Sequence, residues 1–241
     1  MKLTIAIISK SETLNKLVRE SIDFAEEIII IVDSPTKKTK KLAKVNYFYR
    51  ELASDFASQR NFALQKAHND WILFIDDDEY VGTELAREIK QLPESANISG
   101  YLIKRVDVCF HQPLLHGETG NTKLLRLGNK SKGKFIRSVH ETWKINGEIG
   151  EIQSPIYHIK DTFISKFIGR MSYYAGIDAK ALSLENKPFS YWRLILNPMG
   201  KFVLNYFIRL GFLDGSVGLF LSYMMSVQSL TVRIFQWTKR N

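Results

Sequence analysis

The chain has 241 residues, of which 45% are hydrophobic and 24% charged, a balance that builds a real core and excludes wholesale disorder. Lys and Arg outnumber Asp and Glu by 34 to 25, and the formal charge of +9 points to an anionic partner: nucleotide phosphate, nucleic acid or an acidic membrane surface. The one cysteine, Cys109, excludes an intramolecular disulfide framework and suits a reducing compartment.

Leu3–Ser9 is a short apolar run closed by Lys10 and Glu12 with no small-residue cleavage site after it, which predicts a first strand rather than a secretory signal. Residues 12–24 follow as a helix, with Leu14, Leu17, Val18 and Ile22 at helical spacing. Strands are expected at Glu27–Val32, Val45–Tyr49 and 71–75, with helices over 36–43 and 56–67 between them. Such alternation predicts an α/β domain with a mostly parallel central sheet and ligands at the carboxyl ends of its strands. No G-x-G-x-x-G follows the first strand and no G-x-x-x-x-G-K-[ST] occurs, so the usual dinucleotide and P-loop signatures are absent. Beyond Gly100 the pattern turns irregular, with strands over 101–109 and 123–127 and a loop rich in Gly, His and Lys.

Directly after the strand at 71–75 stand four acids, Asp76, Asp77, Asp78 and Glu79. Like charges so close repel one another, a cost that a divalent cation would offset. Hard cations such as Mg²⁺ or Mn²⁺ take one or two protein carboxylates and complete their shell with substrate phosphates. In an extended segment Asp76 and Asp78 would face one site and Asp77 the other side. A solvated helix N-terminus near Thr83 or Glu84 is the alternative, although it accounts for one or two acids rather than four.

The segment Phe74-Ile75-Asp76-Asp77-Asp78-Glu79 resembles the D-x-D segment of family 2 glycosyltransferases, which have the GT-A (Rossmann-like, nucleotide-binding) fold. Further pieces match in order: Ile8-Ser9-Lys10-Ser11-Glu12, Ile29 to Ser34, Ser58-Gln59-Arg60-Asn61-Phe62-Ala63 and Asn69-Asp70-Trp71. Val139-His140-Glu141, Pro155-Ile156-Tyr157-His158 and Gly211-Phe-Leu-Asp-Gly215 resemble motifs of a subgroup that contains glucosyltransferases of the lipopolysaccharide inner core.

The resemblance implies an inverting, metal-dependent transfer of glucose or another hexose from a nucleotide-diphosphate sugar, a UDP-sugar, to a glycolipid or core-oligosaccharide acceptor. It implies nucleotide contacts from Ser9, Glu12, Asp33, Arg60, Asp76, Asp77 and Arg126. Taken on residue chemistry alone, Asp33 also suits a turn with Ser34-Pro35, Arg60 a solvated helix face and Glu12 a helix start. Asp78 is the implied principal metal ligand, and His158 a further ligand or an ordinary structural histidine. Glu141 is the implied base for the acceptor hydroxyl with His140 beside it, against the plainer reading of a surface pair. Phe110 to Gly120 keeps the His116-Gly117 pair but few of the subgroup's aromatics, on what the resemblance makes the acceptor side.

From residue 187 onward seven basic residues face one acid, Asp214, in the most apolar part of the chain. Lys201, Asn205 and Arg209 recur every four residues, and residues 215–232 carry no charge at all. These are amphipathic helices with wide apolar faces, suited to an anionic membrane interface, to packing or homodimerisation, or to a membrane span. The expected organisation is a GT-A catalytic domain over 1–160 and a helical, membrane-associating extension over 161–241, peripheral on the cytoplasmic face of the cell membrane. A nucleotidyltransferase acting on sugar phosphates is the enzymatic alternative. A basic nucleic-acid-binding protein is the other, but no nucleic-acid partner is expected because the basic excess sits on apolar helices.

Overall fold

The computed structural model describes residues 1–34, 44–53, 55–93, 97–118, 120, 122–138, 141–160 and 163–238. Along the chain run β1 (Leu3–Ser9), α1 (Lys16–Ser21), β2 (Glu27–Val32), β3 (Val45–Tyr49), α2 (Phe56–Lys66), β4 (Trp71–Asp76), β5 (Glu79–Val81), α3 (Thr83–Gln91) and β6 (Ile98–Cys109). Next come β7 (Gln112–Leu114), β8 (Lys123–Asn129), β9 (Gly133–Ile136), β10 (Thr142–Ile145) and β11 (Glu148–Ile159), then α4 (Phe163–Leu184), α5 (Tyr191–Val203) and α6 (Gly215–Thr238). The contacts divide the chain into two compact units, Met1–Arg105 with Thr122–Ile159, and Val106–Asn121 with Lys160–Asn241.

The first unit is built on a sheet ordered β3-β2-β1-β4-β8-β6-β11-β5. Parallel pairing holds for β3, β2, β1 and β4, while β8 pairs antiparallel with both β4 and β6, and β5 with β11. The sheet, expected to be mostly parallel, is so only in its N-terminal half, and the result is the α/β, GT-A arrangement. β1 and β2 are apolar on both faces because both are covered. Leu3, Ile5 and Ile7 pack with Val18 of α1 and with Leu85 and Ile89 of α3. On the other face Ala6 and Ile29 pack with Ala63 and Leu64 of α2 and with Phe135 and Trp143 of the β9–β10 pair.

The helix expected over 12–24 begins only at Lys16. Ser9 Oγ accepts from Ser11 N at 3.1 Å and Ser11 Oγ from Thr13 N at 3.1 Å, local bonds that compete with helix. Asn15 then caps α1, accepting from Leu17 N at 2.9 Å. The helix expected over 36–43 lies outside the described residues. Asp55 caps α2 by accepting from Ser58 N at 3.0 Å and Ser58 Oγ at 2.7 Å, which fixes the helix that carries Arg60.

The sequence suggests a single boundary after residue 160, whereas the second unit also takes in 106–121. Asp214 explains the difference. Its carboxylate accepts from His116 N at 2.9 Å, Leu115 N at 3.2 Å and the His116 ring at 2.8 Å. Two motifs far apart in sequence are thereby locked together. The turn that aims Asp214 inward has Leu210 at φ 58° and Gly215 at φ 60°, left-handed values that glycine adopts freely and leucine only at a cost. Within this unit α6 packs with α4 through Ala175, Ala179 and Val232, and Ser226 of α6 donates to Pro198 O of α5 at 2.8 Å.

Candidate active site

The carboxyl ends of β1, β2 and β4 lie side by side, with Ser9 paired to Val32 and Ile8 to Asp76. At this edge of the parallel strands a cleft of about 530 Å³ opens, the usual place for a ligand in such a sheet. Ser9, Asp33, Arg60, Asp76, Asp77, Asp78, Glu141 and His158 all line it.

The four acids have separate fates. The strand ends at Asp76 and the chain turns at Asp77 and Asp78, so the alternation expected of an extended segment lapses and all three aspartates reach the cleft. Asp76 is held from two sides: Arg60 Nη2 donates to its Oδ1 at 2.8 Å, and Arg126 Nη2 to its Oδ2 at 2.8 Å. Asp77 accepts from Ser9 Oγ at 2.9 Å. Glu79 is fully buried beneath, accepting from Arg126 Nη2 at 2.8 Å and from Asp76 N at 2.9 Å. Asp78 alone is open, its side chain 54% exposed. The helix-cap alternative fails for this run, since α3 begins at Thr83 behind Gly82 and takes only Glu84 into its first turn.

Burial would push Asp76 up, but the Arg126 and Arg60 guanidiniums outweigh it and hold the carboxyl well below the usual carboxylate range. Burial pushes Glu79 up, with the Asp76 charge adding to the effect and Arg126 opposing it. Burial works against the Arg126 charge too, but Asp76 and Glu79 more than reverse that and its pKa is raised.

Antiparallel pairing of β5 with β11 sets His158 opposite Glu79, and His158 Nε2 lies 3.2 Å from Asp78 Oδ2. That separation is short enough for both atoms to ligate one ion, and the pair fits a cation that takes few protein ligands and completes its shell with phosphate and water. Among the described residues no group of three or more His, Cys, Asp or Glu side chains forms a metal cage.

Glu141 Oε1 accepts from Arg60 Nε at 2.8 Å, so one guanidinium joins Asp76 and Glu141 across the cleft. The Arg60 guanidinium also lies 5.3 Å from the centre of the Phe74 ring and 5.6 Å from that of Phe135. Two expected nucleotide contacts sit apart from the cleft lining: Glu12 accepts from Tyr49 Oη at 2.8 Å, and Arg126 lies beneath Asp76. His140 lies outside the described residues. Asp33 accepts from Leu52 N at 2.8 Å and faces the cleft beside Lys10 and Phe56, neither of which sequence reasoning had placed. The role of Glu79 as the buried anchor of Arg126 was also missed. Its signal was the Glu79-Tyr-Val81 alternation, in which Glu79 shares an inward face with Val81.

Residues 8–148 match glycosyl transferase family 2. An uncharacterized glycosyltransferase of Rickettsia typhi is 26% identical over 238 residues, which cover 90% of this chain and 80% of the relative. The lipopolysaccharide core biosynthesis glycosyltransferase LpsC of Rhizobium meliloti is 24% identical over 208 residues, covering 81% and 75%. Among solved structures, S. aureus TarS 1-349 in complex with UDP aligns with a TM-score of 0.47 at 16% identity, covering all of this chain and 91% of that one. This chain spans 55% of the longer TarS chain. The family match takes in more than half of the residues and runs through Asp33, Arg60, Asp76, Asp77, Asp78 and Glu141, so the chain belongs to glycosyl transferase family 2 and is a glycosyltransferase.

Proposed function

We propose that the chain transfers a hexose, with inversion, from a UDP-sugar to a glycolipid or core-oligosaccharide acceptor. The observation that carries this reading is the convergence of the Asp78–His158 pair and Glu141 on one cleft at the strand ends. Asp33, at the end of β2, suits hydrogen bonding to the base or ribose, and Lys10 brings positive charge to the diphosphate. Arg60 engages Oε1 of Glu141, which leaves Oε2 for the acceptor. The acceptor oxygen attacks the anomeric carbon, its proton passes to Glu141 Oε2, and the bond from carbon to diphosphate breaks as UDP leaves. Asp78 and His158 would hold Mg²⁺ or Mn²⁺, which would supply positive charge for the departing diphosphate.

The similarity to LpsC, a glycosyltransferase of lipopolysaccharide core biosynthesis, supports a lipopolysaccharide core acceptor. The surface of the second unit supports a peripheral place on the cytoplasmic membrane face: no α5 side chain is fully buried, and Trp192, Met199 and Ile208 are each exposed beside a basic excess. Incubation with UDP-glucose and Mg²⁺ or Mn²⁺ tests the chemistry. Slow release of UDP agrees with sugar transfer, whereas release of pyrophosphate in a parallel incubation with UTP and glucose 1-phosphate would instead identify a nucleotidyltransferase.

A further inference from the structure

The catalytic reading leaves unused the ribbon made by β9 and β10, which belongs to the same unit as the cleft. Its inner face is fixed in the core. Phe135 and Trp143 stack at 4.9 Å and meet the Phe74 ring edge-on at 4.9 and 5.3 Å. Asn61 of α2 bonds Phe135 twice, donating to its O at 2.9 Å and accepting from its N at 2.8 Å. Arg60, the residue before, engages Glu141, which immediately precedes β10. One helix therefore fixes the ribbon and the candidate base together. Alternation along the two strands turns Lys134, Ile136, Thr142 and Lys144 outward, and all four are exposed.

On that outer face Lys134 stands directly opposite Lys144. Like charges so placed across a strand pair are destabilising. Among the described residues no acid pairs with either lysine. Between Asn129 and Asn146 five basic residues stand against one acid, Glu141, and Arg60 engages it. The lysine pair is thus a cost that a bound anion would relieve. The donor diphosphate is not that anion, because neither lysine lines the cleft. A membrane surface fits poorly, since interfacial binding needs apolar anchors and this face offers only Ile136, 37% exposed. An acceptor held at Glu141 is within reach: Lys144 is three residues on, roughly 10 Å at the rise of a strand. Two ammoniums side by side act as point charges and match a doubly charged phosphate, whereas a carboxylate is better served by the fork of an arginine. We propose that the outer face of the β9–β10 ribbon is an acceptor subsite, and that the acceptor carries a phosphate group seated between Lys134 and Lys144. The proposal rests on the transfer reading above and deepens it by naming a chemical feature of the acceptor.

The test is NMR titration of the full chain with glucose 6-phosphate, against glucose as the uncharged control. Saturating UDP and Mg²⁺ are present throughout, so that the donor cleft is filled. The expected result is saturable shifts at Lys134 and Lys144 with the sugar phosphate and none with glucose. Lys134→Gln/Lys144→Gln should weaken that binding by roughly tenfold or more. Lys2→Gln/Lys16→Gln, the same loss of charge at exposed positions outside the ribbon, should leave it intact. Should the ribbon variant melt below the parent, Lys144→Gln alone replaces it. The proposal is overturned if the sugar phosphate leaves both lysines unshifted, if glucose shifts them equally, or if the charge control weakens binding as much as the ribbon variant. Reduced sedimentation of the ribbon variant with phosphatidylglycerol vesicles, without shifts from the sugar phosphate, also overturns it, by assigning the lysines to a lipid headgroup. Metal-dependent UDP release by the parent without binding of the sugar phosphate overturns the subsite alone and leaves the transfer reading standing.

Discussion

Arg60 and Arg126 decide how the acidic run works. Between them they engage Asp76, while Glu79 anchors Arg126 from below and Ser9 engages Asp77, so Asp78 is the one acid open to a ligand. Two predictions belong to this scale. Arg126→Met leaves buried Glu79 beside Asp76 with only the longer 3.8 Å pairing to Arg105, and loss of one partner of such a buried pair costs about 3–5 kcal/mol, read as a lower urea midpoint. Glu141→Gln keeps the bond to Arg60 but cannot take a proton, so turnover should fall roughly 10²–10⁴-fold while UDP binding by thermal shift persists. Equal loss of both would make Glu141 structural. The acid run, Arg60 and Glu141 were legible in the sequence because a costly charge cluster and a family motif mark them. Their pairing was not, because Arg60 and Glu141 are joined through space and no local spacing encodes that contact.

At the scale of elements, β1 and β2 begin and end where their apolar runs do, since strands covered on both faces are apolar nearly throughout. Short α1 was read too long because Ser9 and Ser11 divert the backbone before Asn15. β5 was missed because its alternation runs over only three residues and follows the acidic run directly. Glu27 shows what joins these elements: it accepts from Thr4 Oγ1 of β1 at 2.7 Å, from Asn46 of β3 at 3.3 Å and from His68 N after α2 at 2.9 Å. Burial pushes its carboxyl up, but the bonds from Thr4 and His68 outweigh that and hold it below the ordinary 4.5. Glu27→Gln should therefore cost about 1 kcal/mol near neutral pH. Because the folded value is depressed, the parent's advantage stands above the ordinary glutamate range and is lost as pH falls through the folded value. Urea melts of both proteins across that range check the sign.

At the scale of the whole molecule, the chain pairs a catalytic α/β unit with a helical unit that leaves Trp192, Leu184, Ile208 and Tyr223 to solvent. Sequence pattern revealed the amphipathic helices. It did not reveal that 106–121 joins them, because the lock between His116 and Asp214 spans most of that unit's sequence. Among the described residues one helical stretch, Gly211–Thr238, is long and apolar enough to cross a membrane. Ser222 and Gln236 of this stretch are buried and Ser226 donates to Pro198 O of α5, while Leu219, Phe220 and Tyr223 stay exposed, an apolar face suited to an interface. The protein should sediment with anionic liposomes, and high salt should weaken but not abolish this, since apolar burial survives screening. Recovery in the supernatant at low salt would contradict it. The most direct measurement of the central claim is UDP release from UDP-glucose, with Mg²⁺ or Mn²⁺ present, by the parent and by Asp78→Ala. The account predicts metal-dependent release by the parent and its abolition in the variant, because the other three acids are already engaged; near-normal release by Asp78→Ala would contradict it.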